Sequence, residues 1–186
     1  MAGALTGKRI AFLLANEGVE QVELTSPWQA VEQEGGRPVL LAPDPGTVQA
    51  YNGRERAARF PVHQTVDEAT MSDFAGLVLP GGVVNADQLR VKSGAVALVR
   101  QFVDDGKPVA AICHAAWTLI EAGAVRGKTM TSYPSLRTDL ENAGATWVDE
   151  VVHVDRGAGW TLVTSRNPDD LPEFCREACR AFAAEA

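Results

Sequence analysis

Four short apolar runs, each cut off by turn-forming residues, set the architecture of this chain. Lys8 to Leu14 stops at Asn16-Glu17-Gly18, Arg37 to Ala42 at Pro43, Gly76 to Leu79 at Pro80-Gly81-Gly82, and Pro108 to Ile112 at Cys113. Runs this short and this uniformly apolar predict strands buried on both faces. Between them lie segments of helical period: Val22 to Gln33 before Gly35-Gly36, Ala95 to Val103 before Gly106, Ala115 to Ala122 before Gly123, and Pro134 to Asn142 before Gly144. A last helix is predicted from Pro168 to Ala186, opened by Asn167-Pro168-Asp169-Asp170. Alternating strands and helices imply an α/β fold with a mainly parallel sheet and helices on both faces. Asn52-Gly53 and Arg156-Gly157 carry hairpin turn chemistry, so small antiparallel additions at the sheet edge are expected beside Val48 to Tyr51 and Val151 to Val154.

With 186 residues, 46% of them hydrophobic, the chain is long enough for one well-buried core, and residues 1–186 are read as a single domain. The formal net charge of -7 leaves no excess of Lys and Arg to displace counterions, which argues against nucleic acid or an anionic membrane as partner. The N-terminal stretch from Met1 to Arg9 has no secretory apolar run and nothing further on has bilayer-spanning length, so a cytoplasmic protein is expected. Three cysteines cannot make a fully paired disulfide framework, so each is judged as packing, ligand or nucleophile.

Cys113 follows a buried strand and precedes a helix that starts with Ala115-Ala116. That places it in a strand-to-helix turn at the carboxyl edge of the sheet, where open parallel sheets put ligands. A helix start favours the thiolate, the attacking species. Packing is the ordinary role of a lone cysteine; the turn position favours a nucleophile. The Pro80-Gly81-Gly82 loop reaches the same edge, and the N–H groups of Gly82 and His114 are expected to form an oxyanion hole. Of the acids after the first strand, Glu20 is the candidate to touch the thiol, with Glu23 one turn on holding the turn; a solvated helix-start acid is the alternative.

His114 is the nearest possible base in sequence, although neighbouring residues on a helix point about 100° apart. His63, in an expected edge hairpin, and His153, in a His-x-Asp spacing with Asp155, are the other imidazoles; His153 reads rather as decoration of an edge strand. Asp87 could orient an imidazole in its own subunit or across an interface, or else cap the following helix or pair with Arg90. Cys175 and Cys179 have no His or acid cluster at metal-ligand spacing, and are read as packing residues of the last helix. No metal site is expected.

Leu79 to Gly82, Lys107 to His114, Thr131 to Pro134, Ala143 to Asp149 and Val163 to Arg166, in this order across the chain, resemble the PfpI-like intracellular cysteine peptidase family of the type-1 glutamine amidotransferase-like superfamily. The resemblance implies a flavodoxin-like three-layer αβα sandwich, a nucleophile at Cys113 with His114 beside it, an acid at Glu20 touching the thiol, and oxyanion donors at Gly82 and His114 beside Gly81. It implies Tyr133 as a pocket residue, and an acid from a neighbouring subunit, in the stretch of Asp87, completing the site in a homodimer or higher homo-oligomer. Ala115-Ala116 stands where relatives often have Gly-Pro.

The expectation is a cofactor-independent enzyme whose Cys113 attacks a small 2-oxoaldehyde or its adducts, of glyoxalase or deglycase type, with proton transfer through Glu20 or His114 and a role in stress protection. Peptide or amide hydrolysis by the same residues is the alternative. A redox-sensing stress chaperone without turnover is a third reading, of a different class.

Overall fold

In the computed structural model, which describes residues 3–184, every predicted major strand and helix is present. The strands are β1 (Arg9–Leu13), β2 (Glu17–Glu20), β3 (Arg37–Ala42), β4 (Thr47–Asn52), β5 (Glu55–Pro61), β6 (Gln64–Thr65), β7 (Gly76–Leu79), β8 (Val109–Ile112), β9 (Thr129–Met130), β10 (Thr146–Trp147), β11 (Val152–Asp155) and β12 (Leu162–Ser165). The helices are α1 (Gln21–Gln33), α2 (Val83–Arg90), α3 (Ser93–Asp104), α4 (Ala116–Glu121), α5 (Arg137–Asn142) and α6 (Leu171–Ala184). The last helix is expected from sequence to reach Ala186; residues 185–186 lie outside the described residues, as do residues 1–2.

Seven strands form the central sheet in the order β11-β12-β8-β7-β1-β3-β6. All neighbouring pairs are parallel except β11 with β12. Because successive side chains on a strand point to opposite faces, each central strand feeds two cores. Ala11, Leu13, Leu77 and Leu79 pack against Leu89, Phe102 and Leu119 of α2, α3 and α4. Ile10, Phe12, Val78 and Ala110 pack against Leu24 and Val31 of α1 and Phe174 and Phe182 of α6. The result is the αβα sandwich. At roughly 25 cal/mol per Å² of apolar surface, burial on both faces of the sheet is the main stabilising contribution.

Two expectations about the edges need correction. The hairpin of β4 and β5 is antiparallel as expected, but it belongs to a separate three-stranded sheet, β2-β4-β5, rather than to the edge of the central one. Its first strand, β2, pairs parallel with β4 and leads directly into α1 at Gln21. His63 stands between β5 and β6, where its Nδ1 accepts the Leu40 N–H at 2.9 Å and its own backbone N–H donates to Leu40 O. It braces β3 and is not a base for Cys113.

Away from the carboxyl edge, Lys128 is almost wholly buried. Its ammonium donates to Asp155 Oδ1 at 3.0 Å and Trp160 O at 2.9 Å, and lies 4.2 Å from the Trp160 ring centroid. The lysine and the N–H groups of Thr129 and Gly157 hold the Asp155 carboxyl below its usual range against the opposing effect of burial. Asp155 is therefore committed to Lys128, and the His-x-Asp spacing does not make a catalytic pair.

Candidate active site

Cys113 sits where β8 ends, and its backbone is left-handed, with φ of 63°. A non-glycine residue held there costs roughly 1–3 kcal/mol, and such strain persists where the surroundings fix it. Here Tyr133 N–H donates to Cys113 O at 3.1 Å, and the residue is 7% exposed. The turn also brings an imidazole to the thiol. Because Cys113 is out of helical register with the residues after it, its Sγ lies 3.2 Å from Nδ1 of His114. The imidazole is stacked on Tyr133 with centroids 4.6 Å apart and meets the edge of Trp117 at 5.3 Å. Burial lowers the His114 pKa, which favours the neutral ring, and in the Nε2-protonated tautomer Nδ1 accepts the thiol's hydrogen bond.

The acid beside the thiol is Glu23, and this corrects the assignment to Glu20. Glu23 lies in the first turn of α1, wholly buried, and its Oε2 accepts the Gly81 N–H at 2.9 Å. Desolvation raises its pKa to about 8, helped by the charge of Glu20, while hydrogen bonding to Cys113 and Gly81 works the other way. Glu23 Oε1 is buried without a partner at hydrogen-bonding geometry among the described residues. A buried oxygen that receives no hydrogen bond is better off carrying a proton, which agrees with the raised pKa. Glu23 is therefore neutral at pH 7. Glu20 instead turns outward to the hairpin, where its Oε2 accepts the Gly53 N–H at 3.0 Å.

Burial pushes the Cys113 thiol up, and an ionised Glu23 would push it further; the backbone N–H groups of Gly82 and His114 pull it down. With Glu23 protonated the repulsion is absent. The N–H groups of Gly82 and His114 thus both act on the sulfur. Gly82 has φ of 93°, and a side chain on it would collide with Gly18 O; one on Gly81 would collide with Glu23 Oε2 and the Cβ of Cys113. Both glycines are there because backbone, carboxylate and thiol converge.

Asn85 fixes that convergence, a role that sequence reading missed along with α2 itself. It is buried, accepts the Ala15 N–H at 2.7 Å, and donates to Pro80 O and Gly81 O, each at 3.0 Å. The end of β1 and the loop after β7 are thereby tied together. Asp87 lies in the middle of α2, exposed, and does not cap a following helix; Arg90 pairs with Glu121 at 3.3 Å rather than with Asp87. Gln88, not Asp87, lines the cleft within one chain. His153 is on the edge strand β11, bonded to Glu150 at 2.7 Å, and Cys175 and Cys179 are free, half-buried thiols on α6.

Above Cys113 opens a cleft of 780 Å³ lined by Glu20, Glu23, Arg54, Gly82, His114 and Tyr133 among others. No group of three or more metal-ligating side chains occurs among the described residues. No helix among them is long and apolar enough to cross a membrane.

A strained cysteine after a buried strand, a neutral carboxyl from the first helix and a Gly-Gly loop donating to the sulfur coincide with a sequence match: residues 8–181 match the DJ-1/PfpI family. The chain belongs to the DJ-1/PfpI family. It is 39% identical over 177 residues to protein/nucleic acid deglycase 2 of Escherichia coli K12, covering 95% of this chain and 99% of that protein. It is 40% identical over 172 residues to general stress protein 18 of Bacillus subtilis 168, covering 92% and 96%. Among solved structures, Drosophila melanogaster DJ-1beta superposes with a TM-score of 0.81 at 27% identity, covering 96% of this chain and 92% of that one. As a member of the DJ-1/PfpI family, the chain has the fold expected of it from sequence.

Proposed function

We propose that this protein is a cofactor-independent deglycase of the glyoxalase type, acting through Cys113 on 2-oxoaldehydes and their early adducts, in stress protection. The observation that carries the reading is the triad of neighbours around one sulfur: neutral His114 at 3.2 Å, the carboxyl of Glu23, and the N–H groups of Gly82 and His114. The name of the Escherichia coli relative supports it, as does that of the Bacillus subtilis stress protein.

The thiol of Cys113 adds to the aldehyde carbon of methylglyoxal as its proton passes to Nδ1 of His114, so no free thiolate has to accumulate. The new alkoxide, one bond from the sulfur-bearing carbon, is stabilised by the Gly82 and His114 N–H groups. Glu23 gives its proton to the ketone oxygen and, as the carboxylate, takes the hydrogen of the hemithioacetal carbon as a proton; the His114 imidazolium then returns its proton to the neighbouring carbon as the alkoxide closes to a carbonyl. The ketone becomes a hydroxyl and the hemithioacetal a thioester, with Glu23 supplying and recovering the proton at Oε1. Water cleaves the thioester, releasing lactate and the thiol. For an adduct, the carrier amine or thiol departs when the carbon–sulfur bond forms. Aldehyde and water yield a 2-hydroxy acid with no external oxidant.

The reading includes a cytoplasmic location and a homodimer or higher homo-oligomer in which Asp87 reaches a neighbour's site. Val83 and Val84, about half exposed at the cleft mouth beside it, support such a contact. Peptide hydrolysis is the second reading, favoured by the size of the cleft. Purified protein supplied with methylglyoxal is expected to form lactate, and Cys113→Ala to form none. Cleavage of casein by wild type but not Cys113→Ala, without lactate, would establish the peptidase instead.

A further inference from the structure

The two halves of the cleft differ in charge and in origin. One half is the sheet edge with Cys113, His114 and Glu23. The other is the turn between β4 and β5, where Gly53 adopts φ of 62° and Arg54 follows it. Among the described residues, Arg54 is the only side chain of permanent positive charge lining the cleft. The acids of this rim already have partners. Glu17 accepts from the Tyr51 hydroxyl and lies 3.6 Å from Arg56, and Glu20 holds the Gly53 N–H. Arg54 has neither hydrogen bond nor ion pair among the described residues. A guanidinium without a hydrogen-bond or ion-pair partner at a cleft, on a turn pinned from below by a carboxylate, is placed to take an anion from solution.

Size points the same way. A cavity of about 150 Å³ suffices for benzene, and methylglyoxal is smaller still. The 780 Å³ cleft leaves most of its space to something attached to the aldehyde. We infer that Arg54 is a specificity-determining residue that binds an anionic group, a carboxylate or phosphate, on the carrier of a 2-oxoaldehyde adduct while the aldehyde carbon meets Cys113. This rests on the deglycase reading for its chemistry but not for its binding.

The test compares methylglyoxal adducts of N-acetylcysteine, which bears a carboxylate, and of N-acetylcysteine amide, which does not. Wild type is expected to turn over the first with a KM about tenfold lower and a similar kcat, the size of one charge-assisted hydrogen bond in an open site. Arg54→Gln should remove the difference, and Arg54→Lys should restore part of it. A phosphonate-bearing thiol in a third arm, the adduct of N-phosphonoacetyl cysteamine, distinguishes a phosphate-like anion from a carboxylate. Equal KM values in wild type, or a difference that survives in Arg54→Gln, would overturn the assignment. Binding is measured separately on Cys113→Ala with the stable S-acetonyl ethers of N-acetylcysteine and its amide. If wild type makes no lactate yet the carboxylate ether still binds tighter and Arg54→Gln abolishes this, the reaction fails and the anion site stands. If both ethers bind alike, the anion site falls whatever the turnover.

Discussion

The sulfur of Cys113 and the Nδ1 of His114, the next residue in the chain, lie 3.2 Å apart because the cysteine backbone is left-handed. On a regular helix the two side chains would diverge. The strain at one residue thus converts sequence adjacency into a nucleophile and base pair.

Replacing His114 by Ala is expected to lower kcat by roughly 100-fold to 10,000-fold, the usual range for a positioned proton acceptor. Because burial lowers the histidine's pKa, the acidic limb of the wild-type rate profile should fall below its ordinary value of 6.5. A profile whose acidic limb lies above that value counts against the assignment.

Glu23→Gln keeps an acceptor for the Gly81 N–H but cannot deliver a proton, so a similar loss of kcat is expected with the fold retained. Stability gives an independent readout. The carboxyl's pKa rises from 4.5 to about 8 on folding, so the folded state holds its proton more tightly. That contribution is complete below 4.5 and is lost as pH rises through about 8. The melting temperature of wild type should therefore decline over this window more steeply than that of Glu23→Gln, whereas parallel curves would show that Glu23 is ionised in the folded protein.

Gly81→Ala puts a methyl group into the Glu23 carboxylate and the Cys113 Cβ. The expected outcome is a destabilisation of about 1–3 kcal/mol by overpacking, with activity lost. Denaturant unfolding measures the first and lactate formation the second; wild-type activity in Gly81→Ala would mean that the loop is free to move.

Asp87→Asn and Cys113→Ala, each inactive if Asp87 serves a neighbouring subunit, should regain activity when refolded together, since one site in a mixed dimer then has both groups. Light scattering reports the oligomer in the same samples. No recovery, or a monomer, removes Asp87 from the site.

Lys128→Met separates stability from catalysis. It leaves the partly exposed Asp155 without its cation and the Trp160 carbonyl without its donor, and a loss of about 1–3 kcal/mol is expected. Turnover per folded molecule should be unchanged, as measured by activity against unfolding midpoint.

The buried strands and Cys113 at the end of β8 were legible because apolar runs cut off by turn residues have few other solutions. The choice between Glu20 and Glu23 was not. It depends on β2, a four-residue strand with little apolar signal, whose pairing with β4 carries Glu20 to the hairpin before α1 begins at Gln21 and turns Glu23 inward. The helix α2 was missed for a related reason. Val83 and Val84 face solvent, and only Asn85, Ala86 and Leu89 are buried, a weak helical pattern that begins directly at Gly82. Asn85 became recognisable only once Ala15 and Pro80 were seen to converge on it.

Asn85 stitches the ends of two strands into the frame around Cys113, whereas the Gly53-Arg54 turn is hung from that frame by the carboxylate of Glu20. The protein is thus modular at a scale smaller than a domain. A lineage, or an engineer, can exchange the few turn residues that choose a carrier without touching the bonds that hold the thiol, so new specificities lie a short mutational walk from the same chemistry.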